Sequence, residues 1–237
     1  MTHHGGVVAP AGDLHLAVVR ADGRVNHLIP SSVPAHPLSL TEIVQYGCPL
    51  PTQTPEVREW KTRNLPHLMR GVWRQQTARL LGVGSIFGQL SLQVIKGDGR
   101  IIDLGLVSQR VVTTVGAGFI VDAWQNSVEL ENMKYHGIGT GSTAEAVGDT
   151  ALVTELTTEY TGDVRATGTT TEASALVFRT VATNTLDGTP GAALREHGIF
   201  SASTAGVLLD RTVYSAITLS SGDGLQSTYD FTITAGS

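Results

Sequence analysis

Two histidines sit in near-copies of one nonapeptide, HGIGTGSTA at 136–144 and HGIFSASTA at 197–205. Paired imidazoles are what a metal site needs, provided a third ligand joins them. Glu196 and Asp149 are the carboxylates available for that role, yet no HxH or HExxH spacing supports a metal. In a strand, period-2 alternation puts His136 and Ile138 on one face, and His197 and Ile199 likewise. The glycine between them points the other way, where a bulge or a close neighbour requires a missing side chain. The structural reading prevails: one strand-and-turn construction used twice, over a stretch too short to establish a duplication.

Other chemical candidates are weaker. GIGTGS (137–142) has the glycines of a phosphate-cradling loop but neither the Lys-Ser/Thr pair of a P-loop nor a long following helix. No GxSxG elbow occurs; the nearest serines lie in GTGST and GVGSI. Glu129 and Glu131 alternate onto one face of an expected strand, as solvated edge charges do. The sequence therefore predicts no catalytic residues, no metal and no cofactor, and a protein that is not an enzyme. The single cysteine, Cys48, excludes an internal disulfide framework and a cysteine-based zinc site.

Strands and turns would have to position any site. Aromatic residues make up only 5 % of the chain, so a core must come from Val, Leu, Ile and Ala, and 27 glycines favour tight turns. LHLAVVRADGRVNHL (14–28) reads as a hairpin about Asp22-Gly23. Residues 91–115 alternate about the turn Gly97-Asp98-Gly99, and GAGFIVDAWQN (116–126) fits one short amphipathic helix. Beyond residue 127 come strand-like runs with Thr-rich flanks, among them VELENMKYHGI, DVRATGT, SALVFRTVATNTL, REHGIFSAS, GVLLDRTVYSAITL and GLQSTYDFTIT. DTALVTEL (149–156) suggests a helical turn capped by Asp149. The expected fold is mainly β, an antiparallel β-sandwich over 90–237 with one short helix.

The first 89 residues read differently. Eight of the nine prolines lie between Pro10 and Pro66, so the 29–66 stretch is expected to be an extended arm without an interior of its own. A basic stretch with helical spacing follows at 65–83. Residues 1–110 carry a net charge of +4 and residues 111–237 a net charge of −9. Arg58, Lys61, Arg63, Arg70, Trp73, Arg74 and Arg79 are the candidate partner-docking residues. With only Trp60 and Trp73 interleaved and an acidic chain overall, docking onto acidic protein surfaces is favoured over DNA contact. No apolar run reaches the ~18 residues of a membrane span. The opening MTHHGG has no basic or apolar signal region, so synthesis in a cytoplasm is expected.

The run GRIIDLGLVSQRVVTTVGAGFIVDAWQNSVELENMKYHGIGTGSTAEAVGDTALVTEL, with LVFRTVATNTL, EHGIFSASTAGVLLDRTVYSAITLSSGD and LQSTYDFTITAG, resembles a family of tailed-bacteriophage virion structural proteins. The resemblance covers about residues 97–237. It implies a non-enzymatic virion component, a head decoration or cement protein, with a tail fibre, collar or baseplate part as the alternative. The implied partners are the major capsid protein and further copies of the chain, a trimer suiting the threefold positions of a capsid lattice.

Overall fold

A computed structural model describes residues 16–19, 25–81, 85–187 and 193–234. The expected first hairpin is present as far as it is described: β1 (Leu16–Val19) and β2 (Val25–Leu28) pair antiparallel, Leu16 opposite Leu28. Its Asp22-Gly23 turn lies outside the described residues. This hairpin falls in a unit of its own, Met1–Pro30; Ser31–Ser237 form the second unit. The boundary expected near residue 89 therefore falls inside a unit.

Where the proline pattern suggested an extended arm, the chain is helical. α1 (Leu40–Gly47) opens on Ser39, whose hydroxyl accepts from the Glu42 amide at 3.3 Å while the Glu42 carboxylate accepts from the Ser39 amide at 2.8 Å. α2 (Pro55–Leu80) begins with proline at its first position, where no amide donor is missed, after Thr54 as the cap. Pro66 lies inside α2 on an exposed position, so the donor it removes costs no buried partner. Burial overrides the breaker signal: Val57, Trp60, Leu68 and Val72 are buried on one face of α2. Val33, Leu38 and Ile43 join Leu68, Val72 and Leu106 in one cluster. This region has an interior, and the helix begins ten residues earlier than its basic stretch indicated.

The remaining elements make two antiparallel sheets, as the alternation predicts. One has the order β4-β3-β11-β8-β7, from β3 (Ser85–Ile95), β4 (Ile101–Val111), β7 (Thr169–Ser174), β8 (Val177–Thr185) and β11 (Gly224–Thr234). The other has the order β10-β9-β5-β6, from β5 (Tyr135–Gly139), β6 (Ala166–Thr167), β9 (Ala193–Phe200) and β10 (Leu208–Thr218). Leu90, Leu92, Val94 and Leu225 from the first sheet meet Ile138, Leu194, Tyr214 and Ile217 from the second in the largest core cluster. The short helix appears as α3 (Thr114–Trp124), capped by the Thr113 hydroxyl.

α2 closes the seam between edge strands β4 and β10. Asn64 bridges them, donating to the Val107 carbonyl at 2.9 Å and accepting from the Ser215 amide at 3.0 Å. Trp60 donates to the Ser215 and Ala216 carbonyls at 3.1 and 3.2 Å, where the β10 register shifts. Gly71 allows this approach: a Cβ there would lie 1.5 Å from the Gln109 carbonyl oxygen of β4. Two local expectations fail. The 128–134 stretch is not a strand but leads into a 3₁₀ turn at Leu130–Asn132, so Glu129 and Glu131 do not share a strand face. Residues 149–156 form no helical turn, because Asp149 is engaged elsewhere, as described next.

Candidate docking face

The seven docking candidates separate by what holds them. Arg58, Arg63, Arg70, Trp73 and Arg74 lie on the exposed side of α2, and Trp73 is 75 % exposed. Lys61 does not belong with them: it is buried and its Nζ donates to the Tyr46 carbonyl at 2.7 Å, tying α2 to α1. Burial lowers its pKa against the pull of Asp103. Arg70 is half committed, 3.6 Å from Glu145, which also meets the buried Arg110 at 2.5 Å. The Arg79 side chain lies outside the described residues. Charge alone could not sort these residues; the helical phase does, because Lys61 shares the buried face with Trp60, Asn64 and Leu68.

Sequence reasoning named Trp73 but missed its apolar neighbours Met69 and Leu80. Met69, Trp73 and Leu80 are exposed at helical spacing, 44, 75 and 88 % respectively, so they form a ridge beside Arg63, Arg70 and Arg74. The i, i+4, i+11 pattern was the available signal. Grouped in this way they make an exposed apolar strip on the surface of α2.

The histidines are a buried pair. Their strands are adjacent: Gly137 pairs with Gly198, His136 with Ile199 and Ile138 with His197, a local twofold about the glycines. His136 Nδ1 and His197 Nε2 are 3.1 Å apart, and His136 Nε2 lies 3.1 Å from the Thr180 hydroxyl. Both rings are fully buried, and burial lowers the pKa of each, His197 to about 3. On the other face a Cβ at Gly198 would sit 2.8 Å from Leu208, which is the close neighbour the missing side chains allow. Among the described residues no three His, Cys, Asp or Glu side chains are grouped to hold a metal.

The glycines of GIGTGS do frame an anion, but it belongs to the chain. The buried Glu196 carboxylate accepts from the amides of Gly141, Val153 and Thr154 at 3.1, 3.1 and 2.7 Å, and from Arg211 Nε at 2.8 Å. A Cβ at Gly139 or Gly141 would come within 2.6 or 2.4 Å of that carboxylate. Arg211 continues to Asp149 at 3.0 Å and to the Thr143 carbonyl at 3.0 Å. Here Glu196 and Asp149 do meet, through arginine rather than through a metal.

A second arginine acts similarly. Arg165 forks onto Glu155 at 2.5 and 2.8 Å, donates to the Ala202 and Ala205 carbonyls, and lies 3.3 Å over the Phe200 ring.

One concavity of note lies apart from α2. A cavity of about 510 Å³ opens between α3, the 3₁₀ turn, the β7–β8 hairpin and β11. Its wall is apolar, with Ile120, Met133, Leu176, Phe178, Leu209 and Phe231, and its charged members are Glu131 and Glu172. Five separated stretches build it, Leu209 of β10 among them, so no local motif marks it. Among the described residues no helix is long and apolar enough to cross a membrane. No family model matches the chain, and no curated protein matches it.

Proposed function

We propose that the chain is a non-enzymatic structural subunit of a tailed-bacteriophage particle, made in the host cytoplasm and incorporated into the virion. In this reading it is a decoration or cement protein that seats on major capsid subunits and on its own copies through the exposed face of α2. The single observation that carries it is Trp73, 75 % exposed on a helix whose other face is locked into the core, with Met69 beside it and Arg63, Arg70 and Arg74 alongside. Aromatic and arginine side chains in that arrangement are the usual anchors of protein interfaces. The resemblance of 97–237 to phage structural proteins supports the same assignment. The buried charges support it too, since Glu196 is engaged with backbone amides and with Arg211, and Arg165 with Glu155, rather than aimed into a cleft.

Point substitution tests this better than truncation, because Val33, Leu38, Ile43, Val57 and Trp60 are core and their removal unfolds the chain. A Trp73→Ala/Arg74→Glu variant with an unchanged unfolding midpoint is expected to lose attachment to expanded heads. Normal occupancy by that variant would overturn the reading.

A tail location is the second reading, favoured by the 139–148 loop, which Glu196 and Arg211 hold in shape while Ser142, Thr143 and Ala144 are exposed. It predicts labelling at the tail tip and binding of purified protein to host-surface glycans, neither of which a cement protein shows.

A further inference from the structure

The ridge on α2 and the cavity beneath α3 have matching chemistry on two parts of the surface that share no residue. The ridge is apolar and cationic: Met69 and Trp73 project to solvent, with Arg63, Arg70 and Arg74 on the same exposed side. The cavity is apolar and anionic, with Glu131 and Glu172 exposed in its wall. Leu130, Leu176 and Ile233 at its lining are between 43 and 52 % exposed, so this greasy surface is open to water. Trp124, 80 % exposed, lies one helical turn beyond the lining residue Ile120. A volume of about 510 Å³ is within the range of roughly 300–1,000 Å³ in which proteins take up bulky apolar groups.

We propose that Trp73, with Met69 beside it, seats in the α3 cavity of a second copy of this chain, its neighbouring arginines facing Glu131 and Glu172. This rests on the reading of the α2 face as a docking surface and names its acceptor. Because donor and acceptor are different patches, the contact is heterologous: each copy keeps a free ridge at one end and a free cavity at the other, and repetition closes a ring or extends a chain. One such contact is small and weak; a lattice of them is not.

Sedimentation of the full chain over a range of concentrations tests this with two variants, Trp73→Ala and Glu131→Arg/Glu172→Arg. Wild type is expected to associate beyond dimers, and each variant alone to associate at least about 30-fold more weakly, the loss of a buried tryptophan anchor. Mixing the two variants gives the distinguishing result. The Trp73→Ala copy retains its cavity and the arginine variant retains its ridge, so they form a 1:1 complex that grows no further.

A mixture that stays monomeric, or association indifferent to the cavity variant, overturns the cavity as acceptor. A monomeric wild type overturns self-docking, and if Trp73→Ala still abolishes attachment to heads, the α2 reading survives that failure. Saturable binding of the uncharged apolar dye Nile red by a monomeric wild type, abolished by the cavity variant, would overturn the proposal in favour of a small apolar ligand.

Discussion

The buried histidines and Asp210 bend the pH dependence of stability in opposite directions, and substituting Asp210→Asn separates them. Burial raises the Asp210 carboxyl to about 7, against the opposing pull of Arg110 and a hydrogen bond from Thr212. Its second oxygen has no hydrogen-bond partner among the described residues, which suits a protonated acid. An unfolded chain releases that proton near pH 4, so between about 4 and 7 the folded state holds one proton more. Stability from this group is therefore full at low pH and lost as pH rises through 7. His136 and His197 act the other way: unfolded they take up protons near pH 6.5, folded they remain neutral to far lower pH. Around pH 5 the unfolded chain binds about two more protons at the rings and about one fewer at Asp210. Each unbalanced proton is worth about 1.4 kcal/mol per pH unit, so these three groups together make stability rise with pH by about that amount. In Asp210→Asn the contribution doubles to about 2.7 kcal/mol per unit, and at pH 8 the variant gains up to about 4 kcal/mol over wild type. Other carboxylates titrate alike in both proteins and cancel in the difference. Urea unfolding at half-unit pH steps, followed by the fluorescence of buried Trp60, measures it. Parallel profiles for the two proteins would refute the assignment of a folded-state proton to Asp210.

Two further outcomes follow from the packing. Leu68→Ala, at a fully buried position joining α1, α2 and β4, is expected to cost about 2–5 kcal/mol, whereas Met69→Ala next to it stays within about 0.5; equal midpoints would mean that α2 is not integral to the sheets' cooperative unit. Glu196→Ala removes the buried partner of Arg211 Nε, leaving it Asp149 and the Thr143 carbonyl, and orphans three amides; it is expected to cost about 3 kcal/mol, with amide exchange accelerating first at Gly141, Val153 and Thr154, and unchanged protection there would rule out the carboxylate as their anchor.

Strand-like runs bounded by turn residues were enough to find most of the sheet. The runs around Gly97-Asp98-Gly99 and from SALVFRTVATNTL onward became β3, β4 and β8 to β11; β8 alternates in burial, while β10 and β11 are buried on both faces along most of their length. The helical region was hidden by its prolines, whose meaning depends on position: Pro55 begins α2 and Pro66 is carried on its exposed side. Thr54 before Pro55 is a local start signal, but nothing local distinguishes Pro66 from a breaker; the burial of Trp60 and Leu68 against strands far along the chain decides. Asp149 looked like a helix cap until Arg211 claimed it. The exposed basic face of α2 was legible in part, since a cluster of arginines around Trp73 is visible in one dimension. Which cations remain free is not, because Lys61 differs from Arg63 only in its angle around the helix.

Few aromatic residues and many buried charges belong to the same design. With little bulk to fill and shape its loops from outside, the chain shapes them from within: Arg211 and Glu196 hold 139–154, Arg165 holds Glu155 and the 202–205 turn, and Arg110 holds Glu145. The stretch from 140 to 165 contains no helix and only isolated bridges, a length at which uncommitted loops usually fluctuate. Buried ion pairs contribute little net stability compared with apolar packing, but they fix one geometry, since every departure leaves a charge unpaired. A surface already fixed loses little conformational freedom on contact, so a modest apolar anchor such as Trp73 can suffice. Under the proposed docking role, that is what a subunit attaching many times over to identical neighbours requires.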